Sequence, residues 1–423
     1  MRIQLNTGVA LTVIPVSQFK NTQISVHFLE NASKKATSYR SLLANILETS
    51  SQRYSNQILV SQELSNLYGA GFGTSVMRKQ TVHDLTFSLS LANNRYLENA
   101  ENLLTNGVDF LKEMIFHPLV ENKHFQERSF ERQRSNLVAY IEALRDDKQS
   151  YAALQLQKLF FNQDEIQQIP AFGEADVIAK ISNEALFQYY QTMLVSDPIE
   201  IYVVGNVDGN QVATLFTDWQ LPSRQVRGIQ IQPQIRPDKM TQIKTETQVI
   251  VQSKLDLAYR FPTDFRNPAY YAGIVFNALF GGSPLSKLFL NVREKASLAY
   301  YATSSIDVLN GLLVVQTGIN TQDEDRVLAI INEQLRDIES GRFTDEDLEQ
   351  IKTGLVSNYV ASLDSERSYA ARALTNSLVG SQVTAKEWLD GIQSVSRLEI
   401  CEVAKKVQLQ TVYFLSSEAK KHA

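Results

Sequence analysis

An internal repeat constrains this chain more than any other feature. Residues 125–156, FQERSFERQRSNLVAYIEALRDDKQSYAALQL, lie without a gap on residues 343–374, FTDEDLEQIKTGLVSNYVASLDSERSYAARAL, at an offset of 218. Eleven of the 32 positions are identical, including Ser-Tyr-Ala-Ala at 150–153 and 368–371. Ordinary residue frequencies give roughly two identities over such a span. Two helices built from common helix formers would not share the Phe start, the Leu-Val pair and the S-Y-A-A run. The chain therefore reads as a duplication, with each half large enough for its own core.

Periodicity supports the same division. Alternation predicts strands at 3–5, 10–14, 23–29, 71–79, 83–91 and 199–207. Helical spacing covers 38–50, 58–68, 95–115, 122–145, 148–161 and 183–194. Residues 221–240 carry three prolines and no period, which reads as a linker. The order then recurs: a strand at 247–260, helices at 267–279 and 284–294 around a Gly-Gly break, and strands at 298–306 and 311–318. Helices follow at 323–340, 344–363 and 365–378. The expected fold is α+β, with two homologous halves at 1–220 and 241–423, each an antiparallel sheet with helices on one face.

Composition narrows the function. At 43% apolar and 21% charged residues the chain is globular, and a net charge of −5 without a basic block makes nucleic acid a poor partner. The single Cys401 excludes an internal disulfide and a thiolate zinc cluster, and fits a reducing cytoplasm. No window approaches the apolar length of a membrane span, and MRIQLNTGVALTVIPV reads as a strand pair rather than a signal peptide. No P-loop, G-x-S-x-G or paired-Cys motif occurs, and the glycines at 69, 71 and 73 precede a strand, unlike a dinucleotide turn.

The helix LLANILETSSQRY, 42–54, holds Asn45, Glu48 and Thr49 at the spacing of an H-x-x-E-H zinc site, with neither histidine. Two histidines at i and i+4 hold a zinc on one helix face, and the Glu polarises its water. Asn and Thr offer only neutral oxygens, which zinc binds weakly. By local pattern alone, Leu42, Leu43, Ile46 and Leu47 face a core and Glu48 is solvated. His27, His83, His117, His124 and His422 form no H-x-x-x-H pair. In the second half, GGSPLSKLFLNVREKASLAYYATSS (281–305) places Arg293 and Tyr300 seven residues apart. A guanidinium grips a peptide carbonyl or carboxylate through fixed donors, and a phenol donates to an oxyanion. The plainer reading is an Arg at a helix C-terminus and a Tyr packed in a strand.

These features together resemble the pitrilysin and mitochondrial-processing-peptidase family of inverted-motif zinc peptidases. The resemblance covers almost the whole chain: first strands, the 42–54 helix, the Leu-Tyr-Gly-Ala segment at 67–70, and Arg-Glu-Lys followed by Leu-Ala-Tyr. It implies a duplicated, clamshell-like metallopeptidase fold. It also implies that Asn45 and Thr49 stand at zinc-ligand positions and that Glu48 is the remnant of the general base. In the helix FERQRSNLVAYIEAL (130–144), it places Ala139 and Tyr140 where the third ligand and its carboxylate neighbour belong. Glu127, Glu131 and Glu142 lie nearby as displaced candidates. Arg293 and Tyr300 match the family's substrate-binding pair, and Tyr301 takes the second role if the register shifts by one.

The resemblance is closest to bacterial members that lack the zinc motif and act beside a zinc-bearing sister. It implies a non-catalytic, peptide-binding subunit with no metal of its own, zinc being held by the partner, and a homodimer as an option for the isolated chain. Two other readings stay open: a peptide-binding scaffold without chemistry, and a peptidase with an atypical site around Glu48 with Glu131 or Glu142.

Overall fold

In this computed structural model, residues 1–98, 102–224, 229, 231 and 240–417 are described. The first half runs β1 (Arg2–Asn6), β2 (Val9–Pro15), β3 (Asn21–Asn31), α1 (Lys34–Thr49), α2 (Gln57–Asn66), β4 (Gly71–Lys79) and β5 (Val82–Ala92). It continues with α3 (Leu103–Phe116), the short ribbon β6 (Val120–Glu121) and β7 (His124–Phe125), α4 (Glu127–Ala143), α5 (Lys148–Phe160) and α6 (Glu165–Gln168). It ends with α7 (Ala175–Ile178), α8 (Asn183–Ser196), β8 (Ile199–Gly205) and α9 (Gly209–Thr217). The second half runs β9 (Gln242–Gln248), β10 (Ser253–Arg260), α10 (Tyr270–Asn277), β11 (Ala299–Asp307), β12 (Leu312–Ile319) and α11 (Glu324–Glu339). Then come α12 (Asp345–Ser362), α13 (Glu366–Val379), α14 (Ala385–Ser394), α15 (Arg397–Ala404) and β13 (Gln408–Ser417).

The two sheets carry the duplication in their topology. The first has the order β1-β2-β8-β3-β5-β4 and the second β11-β12-β10-β13-β9. Read from its far edge, the second repeats β2-β8-β3-β5-β4 strand for strand. In each, one pair is parallel, β2 with β8 and β13 with β9, and the other ladders are antiparallel. The antiparallel expectation thus holds except for that one pair. A parallel neighbour is reached only by a long crossover, which the intervening strands and helices supply.

Contacts divide the chain into two units that are discontinuous in sequence. One comprises 1–142, 169–231 and 362–381, and the other 143–168, 232–361 and 382–423. Each unit therefore includes a helix from the opposite half of the sequence. In the first unit, Ile24, Val26, Phe28, Phe87, Ile201 and Val203 point to one face and bury against α1 and α3. The other face is covered by α13, whose Ser377 Oγ donates to Glu200 at 3.2 Å. In the second unit, Leu255, Leu257, Val412 and Phe414 form the main core. On the reverse face, Ala152, Leu156 and Phe160 of α5 pack on Ala258, Tyr413 and Leu415. Helices therefore lie on both faces of each sheet, where alternation predicted one. Burying each such Leu or Phe side chain contributes about 1.5–3 kcal/mol.

The repeat maps onto these helices. α4 and α12 start at 127 and 345, and α5 and α13 at 148 and 366, all at the offset of 218. The S-Y-A-A run opens both exchanged helices, and its equivalent Ala152 and Ala370 are both buried. An alanine there lets helix and sheet backbones approach closely.

Several boundaries moved. The helix expected at 122–145 starts at Glu127, after the ribbon. The one expected at 95–115 starts at Leu103, with 99–101 outside the described residues. The strand expected at 247–260 is two strands, broken at 249–252. The helices expected at 267–279 and 284–294 close in wide π-helical turns, at 278–282 and 289–295. Most of the expected linker, and His422, lie outside the described residues.

Candidate functional site

The zinc-helix positions fall in the last turns of α1. Leu42, Leu43, Ile46 and Leu47 are buried, and Asn45, Glu48 and Thr49 sit half-buried on another face. Glu48 is not free in solvent, as the local pattern suggested. Its Oε2 accepts from the Thr74 amide at 2.9 Å and the Thr74 hydroxyl at 2.7 Å, tying α1 to β4. Thr49 Oγ1 donates back to Ile46 O at 3.1 Å, a bond common at helix ends. The residues do not fit a zinc ion: the two ligand positions offer neutral oxygens, and the one carboxylate is already bonded on the side facing β4.

The displaced candidates on α4 do not converge on this point. Glu127 accepts from Asn183 Nδ2 at 2.8 Å, and Glu131 pairs with Arg134 at 2.6 Å. Ala139 and Glu142 are exposed, and Tyr140 is 58% exposed. Among the described residues no group of three or more His, Cys, Asp or Glu side chains is placed to hold a metal ion.

His27 and His83 serve the sheet. His27 Nδ1 lies 2.8 Å from Asp84 Oδ2, and its Nε2 lies 3.0 Å from Ser25 Oγ. This is the connectivity of a serine-hydrolase triad, but all three residues are buried. A hydroxyl so placed offers no approach to a carbonyl, and the network satisfies polar groups between sheet and helix. His83 is fully buried, with Nε2 on the Ala171 carbonyl at 2.8 Å, and burial pushes its pKa down to about 4.

Arg293 and Tyr300 lie in a different setting. Arg293 sits in the π-helical turn 289–295. Its guanidinium stacks 4.7 Å from the Phe289 ring centroid, with the Glu294 carboxylate 3.7 Å away. The turn ends at Ser297 in the left-handed region (φ 52°), where the amides of Ser297 and Leu298 return to the carbonyls of Arg293 and Val292. This C-terminal cap reverses the chain directly into β11. Tyr300 follows as the extra residue of a β-bulge: Ala299 pairs with Ile319 and Tyr301 with Gly318, leaving Tyr300 between them. β11 is an edge strand, and Tyr300 is 71% exposed, with its hydroxyl unbonded to any described residue. Wide helical turns and bulges both re-aim side chains, and both are frequent at functional sites.

Tyr301 points the other way. Its ring lies 5.1 Å from Lys254 Nζ and fits against Gly318, where a Cβ would come within 2.5 Å of the ring. Burial pushes its phenol up, and the hydroxyl has no partner. Lys254 and Asp256 share this face of β10. Lys254 Nζ donates to Gln252 at 2.6 Å, and burial pushes the Asp256 carboxyl up to about 7. The sequence pointed to Tyr301 only as a stand-in for Tyr300, and to neither Lys254 nor Asp256. Its Lys-x-Asp alternation looks like a solvent face, and only the exchanged helix α5 buries it.

The family model described as the peptidase M16 inactive domain matches residues 180–355. A Bacillus subtilis protein named probable inactive metalloprotease YmfF is 29% identical over 412 residues, 96% of each chain. In sequence and in fold the chain is similar to the M16 peptidase family. A conserved protein from Enterococcus faecalis V583 is 38% identical and superposes with a TM-score of 0.93 over 100% of this chain and 99% of its own. An M16 inactive-domain structure from Pseudomonas fluorescens, 14% identical, shares the fold with a TM-score of 0.79 over 99% and 98% of the two chains. The M16 fold thus extends along the whole chain, and α1, whose spacing matches the zinc motif, carries neither histidine.

Proposed function

We propose that this chain is the non-catalytic, substrate-binding subunit of a two-chain zinc peptidase, with Arg293 and Tyr300 reaching a peptide held at the zinc of an M16 sister. One observation carries the reading. The zinc-helix positions hold no ligand set, while a capped π-helical turn and an edge-strand bulge present an Arg and a Tyr to solvent within eight residues. Neither side chain is committed to the fold: Arg293 has only its neighbour Glu294 and a ring beneath it, and Tyr300 has no hydrogen bond among the described residues.

The chemistry suits acyl transfer at a neighbour's metal. A guanidinium clamps a backbone carbonyl through paired donors and orients the peptide. A phenol hydroxyl donates to the oxygen that becomes negative as water adds to the scissile carbonyl. In this reading zinc, supplied by the sister, activates the water, and this chain's residues bind and orient. The same reading places the chain in a bacterial cytoplasm, where Cys401 stays reduced. Among the described residues no helix is long and apolar enough to cross a membrane.

Mixing tests it. The chain alone is expected not to cleave an unstructured fluorogenic peptide, and an M16 sister bearing H-x-x-E-H to cleave it well only when mixed with this chain. Chelator-sensitive cleavage by the isolated chain, with zinc bound one to one, would overturn the assignment.

A further inference from the structure

Tyr300 is exposed because the pairing of β11 slips by one residue beside it. Tyr301 stands opposite Gly318 and Ala299 opposite Ile319, which leaves Tyr300 between them. In a regular ladder Tyr300 itself would stand opposite Ile319, whose side chain is fully buried in the main core of the second unit. Residues directly opposite each other share a face of the sheet, so the regular register would turn Tyr300 inward. The small Ala299 takes that inward place instead. The direction of the Tyr300 phenol therefore depends on what holds the bulge.

The holding contact lies on the other face of the sheet. Gly318 pairs with Tyr301 on one side and with Lys254 on the other. Without a side chain it leaves a gap in that row. The Tyr301 ring lies across the gap, its centroid 5.1 Å from Lys254 Nζ. A Cβ on Gly318 would fall 2.5 Å from Cε1 of the ring and 2.6 Å from the Gln252 side-chain oxygen. Gln252 is fixed in turn by Lys254 Nζ at 2.6 Å. A strand glycine covered by an aromatic ring from the neighbouring strand pins register. The Tyr301 hydroxyl has no partner, so it is the ring that is held and not the phenol. We infer that Gly318, with Lys254 and Gln252 beside it, forms a socket that seats the Tyr301 ring and so holds the bulge that aims Tyr300 outward. Gly318 and Tyr301 are then positioning residues, which act through Tyr300 and do not themselves touch the peptide.

The seating is a property of the chain alone, and its effect on turnover rests on the role proposed above for Tyr300. Thermal melts test the socket. Alanine ordinarily improves a strand glycine that has room. Gly73, with nothing within 4 Å of an added Cβ, is the control, and Gly73→Ala should match or raise the midpoint. Gly318→Ala is expected to lower it by about 2 °C or more. Added to Tyr301→Ala, which empties the space, the same change should lower it far less. Tyr301→Phe should melt as the parent does. Direction is read by placing Tyr300→Cys in each background and timing its reaction with an aromatic disulfide reagent, Cys401 being buried. Gly318→Ala and Tyr301→Ala are each expected to slow the reaction about fivefold or more, as most molecules take the regular register. Tyr301→Phe should keep the parent rate. In the pair reconstituted with a zinc-bearing sister, Gly318→Ala is expected to lower kcat about tenfold with KM little changed, since the oxyanion donor is misdirected and the Arg293 clamp is kept. An equal cost of Gly318→Ala with and without the Tyr301 ring, or a thiol rate untouched by both variants, would overturn the inference. A slowed thiol with unaltered turnover would support the socket and overturn the role given to Tyr300.

Discussion

Replacing Asp256 with asparagine is expected to make the protein relatively more stable as pH rises. Asp256 is 1% exposed on β10. One carboxylate oxygen has Gln316 Nε2 at 3.4 Å, and Oδ1 has no partner. Lys254, the cation on the same face, is bonded to Gln252. Burial therefore dominates and raises the carboxyl to about 7, against the smaller pull of Gln316, the Thr317 amide and Lys254. The unfolded chain releases this proton near pH 4. The group's contribution is thus complete below about pH 4 and is lost as pH climbs through about 7. Each pH unit in that window is worth up to about 1.4 kcal/mol, so the ceiling is roughly 4 kcal/mol. Some water entry and local relaxation reduce this to about 1–3 kcal/mol. Asparagine keeps the shape and the acceptor without the charge. Urea melts of both proteins at several pH values between 5 and 8, with matching m-values, measure the difference. The advantage of Asp256→Asn should grow by about 1–3 kcal/mol from the acid to the alkaline end. A difference that stays flat, or that shrinks with rising pH, would refute the reasoning.

Three further outcomes follow from the same geometry. Arg40 is fully buried, bonded to the Asp197 carboxylate and the Phe28 carbonyl, with Glu30 at 3.3 Å. Arg40→Met strands a buried carboxylate and should cost about 3–5 kcal/mol in a denaturant melt, with Arg40→Met/Asp197→Leu regaining much of it. Ala152→Leu and Ala370→Leu should each cost about 1–3 kcal/mol by overpacking the two exchanged helices, read from the thermal midpoint. Asn45→His with Thr49→His should bind no stoichiometric zinc by elemental analysis, since Glu48 is held by Thr74 and no third ligand is near.

Much of the fold was legible because the strands of each half alternate cleanly. VHDLTFSLSLA became β5, and the repeat offset of 218 carried over unchanged to two helix pairs. What an amphipathic stripe does not encode is which sheet it will cover. The stripe of α5 read as packing on its own half, and the structure places it under the other. For the same reason nothing in the sequence marks Lys254 and Asp256 as buried. The break at 249–252 was hidden by its own apolar residues, which continue a strand pattern but are largely exposed. The final strand β13 and the helix α14 went unassigned, although α14 opens, as α15 does, with a capping box, Thr384–Glu387 and Ser396–Glu399. At the candidate site, residue types and spacing pointed to Arg293 and Tyr300. The bulge that separates the exposed Tyr300 from the half-buried Tyr301 depends on cross-strand register, which one sequence does not reveal.

The most direct test of the central claim is the kcat/KM of a reconstituted pair, this chain with an H-x-x-E-H sister, on an unstructured peptide. Arg293→Ala and Tyr300→Phe in this chain are each predicted to lower it by at least about tenfold, with zinc content and pairing unchanged. Unaltered turnover in both variants would contradict the account.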